Sequence, residues 1–343
     1  VIGPFGLGIF SESEAILHIA ELGVVMFLFV IGLEMQPSRL WGLRREIFGL
    51  GALQVGVCAV LLTSLGLLGG FPIAQSFVAG AGFVLTSTAI VMQLLEERGE
   101  IGVPKGQRMV SILLLEDLAI VPLLALVAFL APGGAESTLG ERLGEIAIGV
   151  GAIVGLILAG RYLLNPFFRI LADARAREVM TAAALLVVLG SALVMQSSGL
   201  SMAMGAFLAG VLLSESTFRH QLEADIEPFR GVLLGLFFLA VGMALDLRVV
   251  AANWQLVATY VVAYMVAKAI GIYAVARFLK TSHREALERA VVMAQGGEFA
   301  FVLYSSAAAV GIIDAEANAI LTAIIIISMV LTPLAIIGLK YLT

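Results

Sequence analysis

Long apolar stretches alternate with short polar connections along the whole chain. Eleven stretches, of which 201–216 is the shortest, approach the roughly 20 residues that an α-helix needs to cross about 30 Å of hydrocarbon. The pattern predicts an all-α polytopic membrane protein, with residues 1–343 forming a single transmembrane domain. The predicted spans lie near 14–35, 44–69, 74–95, 108–132, 143–168, 177–197, 201–216, 227–247, 254–276, 286–309 and 317–340.

Composition and charge placement support this interpretation. Hydrophobic residues make up 61% of the chain and charged residues only 13%, whereas soluble domains are about half apolar and a quarter charged. If the connections alternate sides, sixteen Lys and Arg residues collect on one side, and only Arg142 and Arg248 lie on the other. The positive-inside rule then predicts a bacterial inner-membrane protein with a cytoplasmic C-terminus.

The chain contains an internal resemblance. Residues 27–33 resemble residues 237–243 at an offset of 210. Seven predicted spans separate the two segments, and an odd number gives the copies opposite orientations in the membrane. We therefore predict inverted repeats, roughly 1–132 and 177–343, an arrangement that many secondary transporters use.

Polar elements later in the chain keep nearly the same offset, which supports the repeat. The matched elements are residues 86–88 with 297–299, and the spacing from Asp117 to Pro122 with that from Ser328 to Pro333.

Two adjacent carboxylates, Glu116 and Asp117, lie about nine residues into a predicted span, which is roughly 13 Å deep at 1.5 Å per residue. A charge at the bilayer centre costs at least about 2.5–3.5 kcal/mol on insertion scales, and such residues usually mark an ion or proton path. Adjacent helical positions point about 100° apart, so only one of the two has to line the site. The alternative is a structural pair satisfied by neighbouring helices.

Two further polar segments interrupt apolar spans. One is Thr86, Ser87 and Thr88, and the other is Gln295, Gly296, Gly297 and Glu298. Two successive glycines favour unwinding, and half-helices that end inside the membrane can coordinate or compensate charge. We predict a broken helix at each segment, although hydrogen bonding between helices is an alternative for the first.

Lys268 lies at the centre of another apolar stretch, too deep to reach the interface comfortably. We predict that it pairs with Asp117 or Glu298. Release of that carboxylate from the lysine when a cation arrives would couple cation and proton binding at one site.

These motifs resemble the monovalent cation:proton antiporter-2 family, and within it the Kef-type potassium-efflux transporters. The resemblance covers essentially the whole chain. It rests on residues 2–7, 31–34, 87–90, Asp117, 200–210, 236–243 and 295–301.

The resemblance implies a thirteen-helix antiporter of two inverted six-helix repeats with two crossed discontinuous helices. One to two helices would therefore precede Val1, and a C-terminal cytosolic domain would lie outside this chain. It further implies a homodimer in the lipid bilayer, a monovalent cation bound at Asp117, and Lys268 as its partner. We expect no nucleic-acid partner and no cofactor in this chain, whose transported ions would be K⁺ or Na⁺ and H⁺.

A charged stretch after the seventh predicted span resembles the acidic loop through which such transporters are held closed by a C-terminal nucleotide-binding domain. An ordinary solvated loop is the alternative. The regulatory candidates are Arg219, His220, Glu223, Asp225 and Glu227.

Glu116 departs from the family pattern, because Kef-type transporters usually have Gln before the ion-binding Asp. The departure leaves the choice of cation and the exchange stoichiometry open. A second ionisable group could bring an extra proton or charge to the site.

The sequence thus predicts a secondary antiporter that exchanges K⁺ or Na⁺ for H⁺ by alternating access, and no enzymatic activity. One alternative is a ligand-gated potassium pore, but no Thr-Val-Gly-Tyr-Gly-like filter is present. An intramembrane aspartyl protease would need a second catalytic Asp in a separate span at matching depth, where only Glu298 is found.

Overall fold

The structure, a computed structural model, describes residues 46–100, 103–130, 139–173, 177–198, 202–214, 218–244 and 247–342, with isolated residues between 22 and 33 and at 200 and 216. Within these ranges the chain forms α-helices and two π-helical segments, Glu46–Gly51 and Gly160–Leu164, and no β-strand. In chain order the α-helices are α1 Ala52–Leu68, α2 Ile73–Val84, α3 Thr88–Glu97, α4 Pro104–Leu130, α5 Leu139–Ala159, α6 Asn165–Asp173, α7 Arg177–Ser197, α8 Met202–Leu213, α9 Arg219–Ala244, α10 Leu247–Ala252, α11 Trp254–Phe278, α12 His283–Val292, α13 Phe299–Ala309 and α14 Ala315–Leu342.

Six helical stretches in the described part are long and apolar enough to cross a membrane, and each coincides with a predicted span. Three shorter apolar helices, α2, α8 and α13, lie within other predicted spans. The predicted span at 14–35 falls mostly outside the described residues. The long stretches are Ile47–Leu68, Pro104–Leu130, Ala147–Leu171, Val179–Ser197, Trp254–Phe278 and Ala315–Leu339.

The prediction was wrong about the conformation of the charged stretch at 219–227. It is not a loop, because α9 begins at Arg219, eight residues before the predicted span. Leu222 and Ile226, one turn apart, are fully buried in a hydrophobic core. Burial of this i, i+4 pair favours helix, whereas the surrounding charges suggested a solvated connection. The side chain of Glu227 lies outside the described residues.

The described residues divide into two compact units, and helix α4 contributes to both. The first unit takes in Leu124–Ala244 and the described residues near the N-terminus. Its core includes Phe29, Val188 and Ala206. Gly210 of α8 lies so close to the N-terminal segment that an added methyl group would be 2.9 Å from the Cα of Gly32. Small residues let membrane helices approach this closely.

The second unit consists of Leu43–Leu123 and Leu245–Thr343, and it contains every residue of the predicted ion site. Helices α1 and α2 form a tight hairpin, in which a methyl group on Gly80 would be 2.7 Å from the backbone nitrogen of Thr63. Large apolar side chains lie exposed on the outside of this unit; Val262, for example, is 60% exposed and Leu334 is 62% exposed. Such a surface suits contact with lipid.

A cluster of ion pairs fixes α12 to the end of α3 and the start of α4. Arg98 lies 2.5 Å and Lys105 3.3 Å from Glu288, while Arg108 lies 2.6 Å from Glu285. The side chains are partly exposed, so each pair contributes little by itself, but the network shares its carboxylates. It positions α12, which leads directly into the second polar segment predicted from the sequence.

Candidate ion-binding site

The first predicted break is present in the structure. Helix α2 ends at Val84 and α3 begins at Thr88, with non-helical residues between them. The side chains of Thr86 and Ser87 are fully buried. The hydroxyl of Ser87 accepts a hydrogen bond from the Ile90 backbone at 3.4 Å, which satisfies one amide at the start of α3.

The second break separates α12, which ends at Val292, from α13, which begins at Phe299. The backbone amide of Gly296 donates to the hydroxyl of Ser328 at 3.1 Å, and this hydroxyl donates to the carbonyl of Ile325 at 2.7 Å. A side chain from α14 therefore satisfies an unwound amide that has no helical partner.

The two breaks touch each other. A methyl group in place of the Gly297 hydrogen would lie 2.6 Å from the amide nitrogen of Ser87 and 2.6 Å from the carbonyl carbon of Thr86. Real Cβ atoms do not approach backbone this closely, so only glycine fits here. The crossing of two discontinuous helices, predicted from the sequence, is thereby observed.

Both carboxylates reach the first break from α4. The backbone N–H of Thr86 donates to Glu116 Oε2 at 2.7 Å. The hydroxyl of Thr88 donates to Asp117, with its oxygen 3.1 and 3.2 Å from Oδ1 and Oδ2. The two acidic residues are 1% and 3% exposed. They lie at the N-terminal end of α3, the positive end of its dipole, where negative charge is stabilised.

The ammonium group of Lys268 binds the C-terminal ends of the half-helices α2 and α12, whereas the carboxylates lie at the N-terminal end of α3. Its Nζ donates to the carbonyl of Phe83 at 3.0 Å, to the carbonyl of Gln295 at 2.6 Å and to the hydroxyl of Thr86 at 3.0 Å. Phe83 belongs to the last turn of α2, and Gln295 follows the end of α12. One buried cation thus compensates the negative ends of both interrupted helices.

The hydrogen bonds of Lys268 add partners that the sequence did not indicate, namely two carbonyl oxygens and the Thr86 hydroxyl. The pairing of Lys268 with Asp117 or Glu298 stays a prediction. Glu116 is connected to the same segment, because its carboxylate accepts a hydrogen bond from the Thr86 N–H. Because neighbouring helical positions point about 100° apart, the two acidic side chains meet different parts of the break. Depth alone could not distinguish them.

The second break also presents polar side chains. Gln295 is fully buried, and neither polar atom of its side-chain amide has a hydrogen-bond partner among the described residues. Glu298 is 8% exposed and lies immediately before α13. Carboxylate, hydroxyl and amide oxygens in one buried site are ligands suited to an alkali cation, and the carboxylates can also take a proton.

Two supporting residues were not predicted as part of the site. Ser328 could have been found from the repeat, since its spacing to Pro333 matches that of Asp117 to Pro122. Asp117 contacts the first break, and Ser328 contacts the second. Tyr304, fully buried, donates to the carbonyl of Ala79 at 2.9 Å and connects α13 to α2; no sequence motif marks it.

Comparison with protein families supports the resemblance noted from the motifs. A family model described as "Sodium/hydrogen exchanger, transmembrane" matches residues 1–338. The "Glutathione-regulated potassium-efflux system protein" of Haemophilus influenzae (strain ATCC 51907 / DSM 11121 / KW20 / Rd) is 58% identical over 335 residues, which cover 97% of this chain and 54% of that protein. The chain therefore spans about half the length of this curated relative.

Solved structures show the same fold. The sodium proton antiporter MjNhaP1 from Methanocaldococcus jannaschii at pH 8 matches with a TM-score of 0.64 at 16% identity, covering 99% of this chain and 89% of that chain. A second structure of this antiporter, from a 3D EM map, gives 0.61 at 19% identity and covers 99% and 86%. The predicted fold class, an all-α membrane protein with the inverted-repeat antiporter fold, is confirmed.

Proposed function

Because the chain belongs to the sodium/hydrogen exchanger family, we propose that it is the membrane domain of a secondary active antiporter that exchanges a monovalent cation for protons. The observation that carries the proposal is the opposed placement of charge at the crossed breaks. Carboxylates occupy the N-terminal end of α3, and Lys268 occupies the C-terminal ends of α2 and α12. Such a buried site can hold a charge without leaving an unpaired ion in the membrane.

Asp117 binds the cation in this proposal. Its carboxylate contacts the hydroxyl of Thr88 at 3.1 Å. The side-chain carbonyl oxygen of Gln295, which has no hydrogen-bond partner among the described residues, supplies a further ligand. Ser87 and Glu298 line the neighbouring turns of the two breaks. In each cycle the Asp117 carboxylate accepts either the cation or a proton, and alternating access exposes the site to one side of the membrane at a time.

We propose K⁺ as the main cation. The support is the 58% identity to a protein whose name describes potassium efflux. Sodium is the other candidate, since the structural relatives at 16% and 19% identity are sodium proton antiporters. Exchange of ions requires no bond-making step from this chain, and an enzymatic reaction forms no part of the proposal.

The setting of the transporter is proposed as well. The charge distribution supports a bacterial inner membrane with the C-terminus in the cytoplasm. A homodimer and a C-terminal nucleotide-binding domain follow from the family resemblance. The first turns of α9 would contact that domain, because the side chain of His220 is 87% exposed and lies 3.8 Å from Glu223. Arg219 lies beside them, while Asp225 is buried at 6% exposure and is more suited to holding the helix in place.

Proteoliposomes that enclose a pH-sensitive dye test the function. Addition of K⁺ to wild-type vesicles should drive proton movement without an ionophore, Na⁺ should report on selectivity, and choline should have no effect. Asp117→Asn should abolish the signal. Asp314→Asn is the matched control, because Asp314 is exposed and caps α14 through the Ala317 amide.

Two results would contradict the proposal. Exchange by Asp117→Asn as fast as wild type would remove Asp117 from the mechanism. Cation flux without proton counterflow would favour the alternative of a gated potassium pore.

A further inference from the structure

A cavity of about 270 Å³ lies inside the second unit, and none of the residues proposed as ion ligands lines it. It forms where three connections of the unit meet, namely the turn between α1 and α2, the junction of α10 and α11, and the turn before α14. Phe71, Asn253 and Asp314 line it from these three connections. Its volume is slightly below the roughly 300–1,000 Å³ of pockets for drug-sized molecules, so it suits one small ligand.

Three aromatic rings form adjacent walls of this cavity. The rings of Phe71 and Tyr260 lie 5.9 Å apart at 65°, and those of Tyr260 and Tyr264 lie 5.4 Å apart at 86°. Rings inclined so steeply do not stack on one another, and they present their faces in several directions. The face of an aromatic ring is electron-rich, and a set of such rings forms the cage that binds quaternary ammonium groups.

A fourth ring of the same cluster already has a cation. The ring of Phe83 lies 5.2 Å from that of Tyr264, and the Lys268 Nζ lies 5.7 Å from the centre of the Phe83 ring. This distance is within the roughly 6 Å over which a ring attracts a cation. The three outer rings differ, because no Lys, Arg or His occurs among the described residues that line the cavity.

The rim of the cavity has two carboxylates. Asp314 and Glu316 line it, and both are exposed. Asp314 accepts a hydrogen bond from the Ala317 amide at 2.7 Å, and Glu316 accepts one from the side-chain amide of Asn253 at 3.0 Å. Both donors are neutral, so these hydrogen bonds leave the negative charge of the rim uncompensated. Two acids and no base among the lining residues favour a cation over a neutral or anionic ligand.

The walls distinguish between kinds of cation. An alkali ion needs a shell of oxygen ligands to replace its water, whereas the inner part of this cavity is lined by rings and by apolar residues such as Ala79 and Ile324. A quaternary ammonium group has no N–H to satisfy and presents methyl groups that suit such walls. The acids at the rim then meet the charge, and the rings meet the methyl groups.

We propose that this cavity is a binding site for a small organic cation of the quaternary ammonium class. Phe71, Tyr260 and Tyr264 form the cage, and Asp314 and Glu316 attract the charge. The charge distribution of the chain assigns this end of the unit to the outer side of the membrane, so the ligand arrives from outside. The proposal goes beyond antiport and does not depend on it. Because the ligand is bound and not transported, choline still drives no proton movement in the vesicle assay.

Equilibrium binding of radiolabelled choline to the detergent-purified chain tests the site, with unlabelled compounds as competitors. The neutral isostere 3,3-dimethyl-1-butanol has the shape of choline without its charge, and it should compete about tenfold less well than choline. Glycerophosphocholine, the soluble headgroup of phosphatidylcholine, should also compete less well, because its phosphate meets the acidic rim. Equal competition by the neutral isostere would overturn the proposal. Tighter binding of glycerophosphocholine than of choline would also contradict it, in favour of a lipid headgroup.

Two positions locate the bound choline. Tyr260→Leu should weaken choline binding by about tenfold, whereas Tyr260→Phe, which keeps the ring, should stay within about twofold of wild type. Glu316→Gln removes a charge but keeps a carbonyl oxygen for the Asn253 amide, and it should weaken binding by about threefold. Glu316 is exposed, so this variant remains decisive if Tyr260→Leu folds poorly.

Tyr273→Leu is the matched control. Tyr273 lies on α11 like Tyr260, roughly 20 Å further along the helix at 1.5 Å per residue, and its hydroxyl bonds His283 at 2.8 Å. Its loss should leave choline binding unchanged. Undetectable choline binding by the wild-type chain would refute the site, and so would wild-type affinity in both Tyr260→Leu and Glu316→Gln.

Discussion

Lys268 and Glu116 are joined through two atoms of one residue, Thr86. The lysine ammonium lies 3.0 Å from the threonine hydroxyl oxygen, and the backbone N–H of the same threonine donates to the carboxylate at 2.7 Å. The two charges are thus held by the ends of broken helices as well as by each other. A change of charge at Glu116 acts on the segment that also holds the lysine.

Removal of the lysine charge should destabilise the protein strongly. In Lys268→Met, the carbonyls of Phe83 and Gln295 lose their shared donor, and Glu116 stays buried without its cation. Loss of one partner from a buried charge arrangement typically costs about 3–5 kcal/mol. Thermal unfolding of the detergent-purified protein should show a clear drop in Tm and exchange should be lost.

The matched control for that change is Lys280→Met, since Lys280 is an exposed lysine just beyond α11. It should unfold within a degree or two of wild type, because surface substitutions usually change stability by less than about 0.5 kcal/mol. A Lys268→Met protein as stable as this control would refute the role of lysine as the link between the half-helices.

Neutralisation of Glu116 should preserve transport while altering its charge balance. In Glu116→Gln, the side-chain carbonyl can still accept from the Thr86 N–H, and Gln is the residue that Kef-type transporters usually have here. We expect K⁺-driven proton movement to persist, with a different net charge moved per cycle. Exchange measured with and without a membrane potential, imposed by a gradient of a membrane-permeant anion such as thiocyanate, would reveal the change.

An unaltered response of Glu116→Gln to membrane potential would show that Glu116 stays in one protonation state throughout the cycle. Glu97→Gln serves as the control, because Glu97 is exposed and accepts a hydrogen bond from the side-chain amide of Gln93 at 2.9 Å. It should match wild type in both rate and voltage dependence.

The crossing of the breaks should be intolerant of any side chain at Gly297. In Gly297→Ala, the new methyl group would overlap the backbone of Thr86 and Ser87, and neither chain can retreat without losing its hydrogen bonds to α4 or α14. We expect low yield of folded protein or a large loss of Tm, together with loss of exchange.

Gly56→Ala is the corresponding control, since a methyl group on this exposed position of α1 meets nothing within 4 Å. It should be neutral or slightly stabilising, by up to about 1 kcal/mol, because alanine is the better helix former. Equal stability of the two alanine variants would mean that the breaks are not in contact.

The sequence predicted those parts of the site that place a charge or a helix break inside an apolar stretch. Charges at membrane depth identified Glu116, Asp117 and Lys268, and two adjacent glycines indicated the break at 296–297. The pairing among them was not accessible, because it depends on which carbonyl or amide each half-helix leaves unsatisfied. Lys268 contacts the backbone carbonyl of Phe83. Every residue type has this carbonyl, so the sequence cannot indicate the contact.

The prediction of a loop at the start of α9 was wrong because the charged residues there conceal a buried apolar pair. Its charged residues follow the pattern of a solvated loop, but two apolar side chains one turn apart, Leu222 and Ile226, are buried in the first unit. Two residues give too short a periodicity to recognise. The packing partners that decide the conformation come from segments distant in the sequence.

The long separation between Thr86 and Lys268 has a consequence for how the protein is made. Glu116 follows Thr86 by 30 residues, but the lysine follows it by 182. At about 5–20 residues per second, the ribosome needs roughly 10–40 s to add that length. During most of this interval Glu116 and Asp117 have already been synthesised, while Lys268 has not yet been translated. The order of synthesis therefore places Glu116 and Asp117 in the chain well before the lysine that compensates the ends of the half-helices.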